Sequence, residues 1–124
     1  GIVSELKRLA VPASVDSIPS SAMQEDHVSM GWSAARKLRR SIDGLARVVA
    51  IELLTSARGM DLRAPVQPGP VGFAVRAQLR TRVEGPATDR YLAPEIAAAH
   101  QMVLDGSLLA AAASAVSQAG GELV

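Results

Sequence analysis

The chain has 124 residues with 13 basic and 12 acidic side chains, so its net charge of +1 gives no global attraction to nucleic acid or to a membrane surface. It has no cysteine, which excludes disulfides and thiolate metal sites and fits a reducing, cytoplasmic compartment. Hydrophobic residues make up 48% but aromatic residues only 2%, a balance that suits helices packed through small aliphatic side chains.

The first half of the chain predicts a short helix, a loop and one long helix. Residues 1–10 have helical apolar spacing that ends before Pro12, and residues 11–22 form a polar loop. From about Met23 to about Leu62 the pattern is helical, and such a long apolar stripe needs several neighbouring helices. Its central seam has alternating three- and four-residue spacings: Ala35, Leu38, Ile42, Leu45 and Val49.

The second half predicts a linker and three shorter helices. A Pro- and Gly-rich linker precedes a helix over Phe73–Val83. Pro94 suits the first turn of the next helix, which Gly106 ends. Ser107 is expected to cap a last helix that ends at Gly120 and Gly121.

These patterns predict an all-α, long-helix bundle segment in three parts: residues 1–62, 63–88 and 89–124. The longest nearly apolar run, 108–116, is short of the roughly 20 residues that span a bilayer. The start lacks both an initiator Met and the features of a signal peptide, so we expect the natural polypeptide to extend upstream.

Polar side chains crowd the predicted start of the long helix, in the heptapeptide Gln24-Glu-Asp-His-Val-Ser-Met30. Ser21 and Gln24 have the spacing of a capping box, and Glu25 and Asp26 would favour the positive end of the helix dipole. The alternative is that Glu25 points into a cleft as a base or as an anchor for a cationic group. The residues alone leave both interpretations open, and the cap is the commoner one.

Other polar residues give weaker signals. A lone histidine such as His27 is more often structural, and the two histidines lack the spacing of metal ligands, so we predict no metal site. Ser33 lies in an incomplete nucleophile elbow within a helical pattern, which indicates a structural role. The basic run 36–40 is typical of a solvated or inter-subunit face, and Glu52, at a seam position, is a candidate for an inter-helix salt bridge.

Several strings resemble the C-terminal part of the histidine ammonia-lyases, within the aromatic amino acid lyase family. The most specific is Pro12-Ala-Ser-Val-Asp-Ser-Ile-Pro-Ser-Ser-Ala22 followed by Gln24-Glu-Asp-His-Val-Ser-Met-Gly31. Three later strings are similar and stand in the same order: Ala50-Ile-Glu-Leu-Leu54, Asp61-Leu-Arg63 and Asp89-Arg-Tyr-Leu-Ala-Pro-Glu-Ile96. Phenylalanine and tyrosine lyases differ at the first string, which favours histidine as substrate.

The resemblance implies a mostly helical homotetramer that converts L-histidine to trans-urocanate and ammonia. It implies a methylidene-imidazolone electrophile made from an Ala-Ser-Gly that this chain lacks, so we expect the isolated segment to be inactive. Glu25 matches the family glutamate that faces the substrate, as a catalytic or binding residue, with Gln24 beside it in substrate binding. Leu6, Val11 and Met23 depart from the common pattern, which has Asn, His and Asn there.

Two alternatives to a lyase segment follow from the residues. One is a non-enzymatic helical interaction module that oligomerises through the Ala35–Val49 seam. The weaker one is a bundle that binds nucleic acid through the basic run 36–40, which lacks stacking aromatics. We expect neither nucleic acid nor a membrane as partner, and the rest of the lyase polypeptide as the principal one.

Overall fold

The computed structural model describes residues 1–121, and within this range the chain is helical. The five α-helices are α1 (Ile2–Leu9), α2 (Gly31–Leu62), α3 (Pro70–Arg80), α4 (Ala93–Leu104) and α5 (Ser107–Gln118). A short 3-10 helix covers Ala13–Val15, and Ser20 and Glu25 form an isolated antiparallel bridge. The all-α prediction is therefore confirmed.

The chain divides into two compact units, Gly1–Val48 and Val49–Val124, to both of which α2 contributes. The division into residues 1–62, 63–88 and 89–124 stays a prediction.

In the first unit, α1 packs closely on α2 at a glycine. Gly44 is buried, and a Cβ atom added there would lie 2.8 Å from Cδ2 of Leu6. Gly44 lowers intrinsic helix propensity, but its missing side chain makes room for Leu6. Lys37 Nζ donates to the carbonyl oxygen of Val11, which ties α2 to the start of the loop.

The predicted seam of α2 is largely uncovered in this unit. Leu38, Ile42 and Leu45 are 61%, 58% and 57% exposed. An apolar stripe of this kind indicates a surface that another helix covers. The basic run 36–40 is mostly exposed, as predicted for a solvated or inter-subunit face.

The second unit has a core of small and aliphatic side chains. α3 and α4 both pack against α5, and the largest fully buried side chains are Leu79 and Met102. Ala50 and Ala99 are fully buried, and a methyl group at such positions allows helix backbones to approach closely. The rest of this cluster is Ala57, Val83 and Leu108.

The start of the long helix was predicted wrongly. α2 begins at Gly31 rather than near Met23, so the motif 24–30 precedes the helix. Ser21, Ala22 and Met23 all have positive φ, at 52°, 51° and 69°. This left-handed conformation is incompatible with a right-handed helix, so Ser21 and Gln24 form no capping box at the start of α2.

The boundaries of α3, α4 and α5 lie close to those predicted from the sequence. α3 begins at Pro70 instead of Phe73, because proline suits a first helical turn. Pro94 lies in the first turn of α4, as predicted. Gly106, at φ +75°, is the N-cap of α5, so Ser107 is its first residue and not its cap. α5 ends at Gln118, shortly before the predicted glycines.

Over residues 1–121, no single helix combines the length and apolarity needed to cross a membrane. On length and composition alone, α4 and α5 meet that criterion only as a pair bent by 59°.

Candidate functional site

The polar string before α2 forms a hairpin-like loop, which we call the motif hairpin and define as residues 17–28. At its narrow point the Ser20 N–H donates to the Glu25 carbonyl at 2.9 Å, and the Glu25 N–H donates back to the Ser20 carbonyl at 3.2 Å. The Gln24 N–H donates to the Ser21 carbonyl at 3.1 Å and closes the turn at the tip. The backbone polar groups of Glu25 are therefore satisfied across the loop rather than by a helix.

A side chain makes the second connection across the motif hairpin. Ser17 Oγ accepts a hydrogen bond from the Val28 N–H at 3.0 Å, and both residues are partly buried. Asp16 Oδ1 in turn accepts the Ser17 N–H at 2.8 Å. Sequence reasoning missed Ser17, because a loop serine is expected to bond backbone groups close in sequence, whereas Val28 lies eleven residues away.

The tip of the motif hairpin presents its polar side chains to solvent. Gln24, Glu25, Asp26 and His27 are all exposed. A carboxylate that acts as a base or as a binding group needs walls that position its partner. Residues 16–31 do not enclose Glu25, so any cleft around it must be completed by other parts of the protein.

A cavity of about 420 Å³ lies beside the motif hairpin. Asp16 and His27 are among its lining residues, together with Pro12, Met30 and Ala34. Within the described chain, Gln24 and Glu25 do not line it. The structure thus places Glu25 and His27, which are two residues apart in the motif, in different surroundings.

The Asp89–Ile96 string has a structural role in the second unit. Arg90 Nε donates to Oε1 of Glu95, which lies in the first turn of α4, and Arg90 Nη2 donates to the Gly85 carbonyl at 3.1 Å. The hydrogen bond to Glu95 raises the pKa of Arg90. This arginine fastens the loop between α3 and α4, a role that the sequence analysis did not assign.

A further cavity of about 130 Å³ lies in the second unit, and Arg58, Arg80 and Arg90 are among its lining residues. Arg80 already donates to the Glu84 carbonyl at 2.7 Å and to Asp61, while Arg90 bonds Glu95. Two of the three guanidinium groups are therefore already hydrogen-bonded to other groups of the protein.

Three other polar residues that the sequence singles out lie in α2 and α4. His100 is buried in α4, whereas Ser33 and Glu52 are exposed on α2. Glu52 is not among the carboxylates that the structure, over residues 1–121, pairs with an arginine. The described part of the chain also has no group of three potential metal ligands placed to hold an ion.

Comparison with known proteins identifies the family. The model of the family described as aromatic amino acid lyase matches residues 1–81, which include the motif hairpin and all of α2. This chain belongs to the aromatic amino acid lyase family. The resemblance stated from the sequence strings is confirmed.

The relatives cover most of the chain. It is 63% identical over 112 residues to histidine ammonia-lyase from Streptomyces avermitilis, a match that covers 90% of the chain and 22% of the relative. It is 53% identical over 110 residues to histidine ammonia-lyase from Symbiobacterium thermophilum, a match that covers 89% of the chain and 22% of the relative. The chain thus spans about a fifth of the length of these relatives.

Two solved structures share the fold. Histidine ammonia-lyase from Trypanosoma cruzi superposes with a TM-score of 0.85 at 34% identity, covering 92% of this chain and 23% of that one. Tyrosine aminomutase from Streptomyces globisporus superposes with a TM-score of 0.82 at 32% identity, covering 91% of this chain and 22% of that one. The same helical arrangement therefore occurs in proteins named for different reactions.

Proposed function

We propose that this chain is the C-terminal segment of a histidine ammonia-lyase, which converts L-histidine to trans-urocanate and ammonia without oxidation. The observation that carries the proposal is the 63% identity to a protein of that name over 90% of the chain. The aminomutase structure is 32% identical to this chain, against 63% for the histidine ammonia-lyase from Streptomyces avermitilis, so the sequence favours the histidine branch. Family membership also favours a lyase segment over the non-enzymatic interaction module.

The reaction breaks the bond between Cα and the amino nitrogen and removes a proton from Cβ, which leaves a carbon–carbon double bond. In this family a methylidene-imidazolone supplies the electrophilic chemistry that makes the amine a leaving group. Such a group forms from Ala-Ser-Gly, which does not occur in this sequence, so it would belong to the rest of the polypeptide. We therefore propose that the segment is inactive by itself.

The role proposed for the motif hairpin is to present Glu25 to the substrate. The Glu25 backbone is fixed through Ser20, whereas its side chain is exposed and available to a partner. A carboxylate there can accept a hydrogen bond from the imidazole N–H or the ammonium group, or can assist proton transfer. Gln24 beside it can donate or accept a hydrogen bond to the same substrate.

The incomplete cleft around Glu25 and the exposed stripe of α2 support assembly with further protein. We propose that the stripe of Leu38, Ile42 and Leu45 is covered in a homotetramer. Neighbouring chains or upstream residues would then supply the missing walls of the cleft. We also propose a cytoplasmic location, which the absence of cysteine fits.

The test is histidine deamination by the purified full-length protein, followed by the ultraviolet absorbance of urocanate. Glu25→Gln keeps the shape of the side chain and removes its charge, so kcat/KM should fall by about 10²–10⁴. Asp26→Asn removes the neighbouring exposed carboxylate and should leave kcat/KM close to the wild-type value. A wild-type protein that releases ammonia from tyrosine but not from histidine would refute the substrate, and an unimpaired Glu25→Gln would refute the role of Glu25.

A further inference from the structure

Two connections of different kinds hold the motif hairpin in one register. The backbone pair joins Ser20 to Glu25, and the side-chain bond joins Ser17 to Val28. Ser17 lies three residues before Ser20, and Val28 lies three residues after Glu25. Both connections therefore fit a single antiparallel register. The Ser17 hydroxyl therefore keeps the two sides opposed after the backbone pairing has stopped.

The pairing pattern of the loop shows why a side chain makes the second connection. In an antiparallel pairing the next backbone-bonded pair beyond Ser20–Glu25 would be Ile18–His27, and within the described residues no backbone hydrogen bond joins these two. The Val28 N–H is partly buried and needs an acceptor, which the Ser17 hydroxyl provides at 3.0 Å. The Asp16 carboxylate fixes Ser17 by accepting its N–H at 2.8 Å.

The tip of the motif hairpin needs this restraint. Ser21, Ala22 and Met23 all adopt the left-handed conformation, which is unfavourable for residues other than glycine. A strained turn persists only where the surrounding structure holds it. A loop with an exposed tip is held chiefly by the bonds between its two sides, so the loss of one allows the turn to relax and move Glu25.

We propose that Ser17 is a positioning residue for Glu25, whose hydroxyl sets the register of the motif hairpin through the Val28 N–H. The proposal rests on the proposed function, in which Glu25 faces the substrate. Ser17 itself touches no substrate. It affects catalysis by fixing the position of the Glu25 carboxylate.

The first measurement is histidine deamination by full-length variants at position 17. Ser17→Ala removes the acceptor, and kcat/KM should fall by about 10- to 100-fold, the loss typical of a misplacement near 1 Å. Ser17→Thr keeps a hydroxyl and should retain most of the activity. Ser17→Cys keeps a similar volume with a weak acceptor and should lose activity like Ser17→Ala. Ser14→Ala, at an exposed serine of the 3-10 helix before the motif hairpin, is the control and should match wild type.

The second measurement separates positioning from general support of the fold. If Ser17 acts through Glu25, Ser17→Ala should cause little further loss in a Glu25→Gln background. An equal loss in both backgrounds would mean a general structural role and would overturn the proposal. Full activity of Ser17→Ala, with Glu25→Gln impaired, would overturn it while leaving the proposed function standing.

Amide hydrogen exchange gives a readout independent of turnover, and amides outside the motif hairpin report any general loss of stability in a variant. In the full-length protein the Val28 amide should exchange faster in Ser17→Ala than in Ser14→Ala. Unchanged exchange would show that the hydroxyl does not hold this amide, and the proposal would be wrong. A wild-type protein inactive toward histidine would instead refute the proposed function, whatever the Val28 amide does.

Discussion

The Asp61 carboxylate, near the end of α2, accepts hydrogen bonds from Arg80 and, at 3.4 Å, from Arg76. All three side chains are about one-fifth exposed, at 19–21%. Asp61 belongs to one of the strings that the family resemblance rests on, Asp61-Leu-Arg63. The structure gives it a role in holding α3 rather than in the site.

Asp61→Ala should destabilise the chain by about 2–3 kcal/mol, because two largely buried guanidinium groups lose their shared acceptor. The measurement is urea unfolding of the 124-residue chain at one fixed protein concentration. Arg47→Ala breaks the half-exposed Asp43–Arg47 pair and should cost only about 0.3–0.5 kcal/mol. Similar small losses for both variants would contradict a structural role for Asp61.

Met23 occupies a conformation that its side chain does not favour. It lies at φ +69° and is 82% exposed, so little packing opposes a change of residue. Asparagine tolerates this conformation better, and Met23→Asn should stabilise the chain by up to about 1 kcal/mol. Val15→Asn is the control, because Val15, in the preceding 3-10 helix, is exposed and has no positive φ. Equal melting temperatures for Met23→Asn and wild type would show that the left-handed turn is not strained.

Asp105 makes the start of α5 sensitive to acid. Its Oδ1 accepts the Ser107 N–H at 2.9 Å, and hydrogen bonds from Ser107 hold the pKa of Asp105 below its ordinary value of 3.8. A lowered folded-state pKa adds stability above the unfolded pKa, and this stability is lost as pH falls through the folded-state value.

The melting temperature of Asp105→Asn should therefore lie below that of wild type above about pH 4, and the gap should close towards pH 2. Ser107→Ala removes the hydroxyl but keeps the N–H, so its pH dependence should be intermediate. A difference in melting temperature that stays constant from pH 6 to pH 2 would show that ionised Asp105 does not stabilise the start of α5.

The exposed stripe of α2 predicts self-association of the isolated chain. Leu38, Ile42 and Leu45 are more than half exposed, and such a stripe is unfavourable in water. Sedimentation velocity should show oligomers for wild type and a shift towards monomer for Ile42→Glu. Ser33→Glu places the same charge at an exposed polar position of α2 and should leave the oligomers intact. A compact monomeric wild type would refute the prediction.

The sequence predicted the helices of the second half well, because proline and glycine act locally. Pro94 restricts its own φ and suits a first helical turn, and Gly106 allows the left-handed residue between α4 and α5. The Gln24–Met30 string also identifies the family from the sequence alone. These features depend on residues close in sequence and need no knowledge of packing.

Only the tertiary structure decided where α2 begins and how Glu25 is held. The periodicity of residues 23–30 is compatible with a helix, but their backbone groups find partners up to eleven residues earlier, as in the Ser17–Val28 bond. A cross-loop bond of this kind has no local signature, since serine, proline and alanine occur in many loops. The motif therefore revealed the family by itself, whereas its conformation depended on contacts between residues distant in the chain.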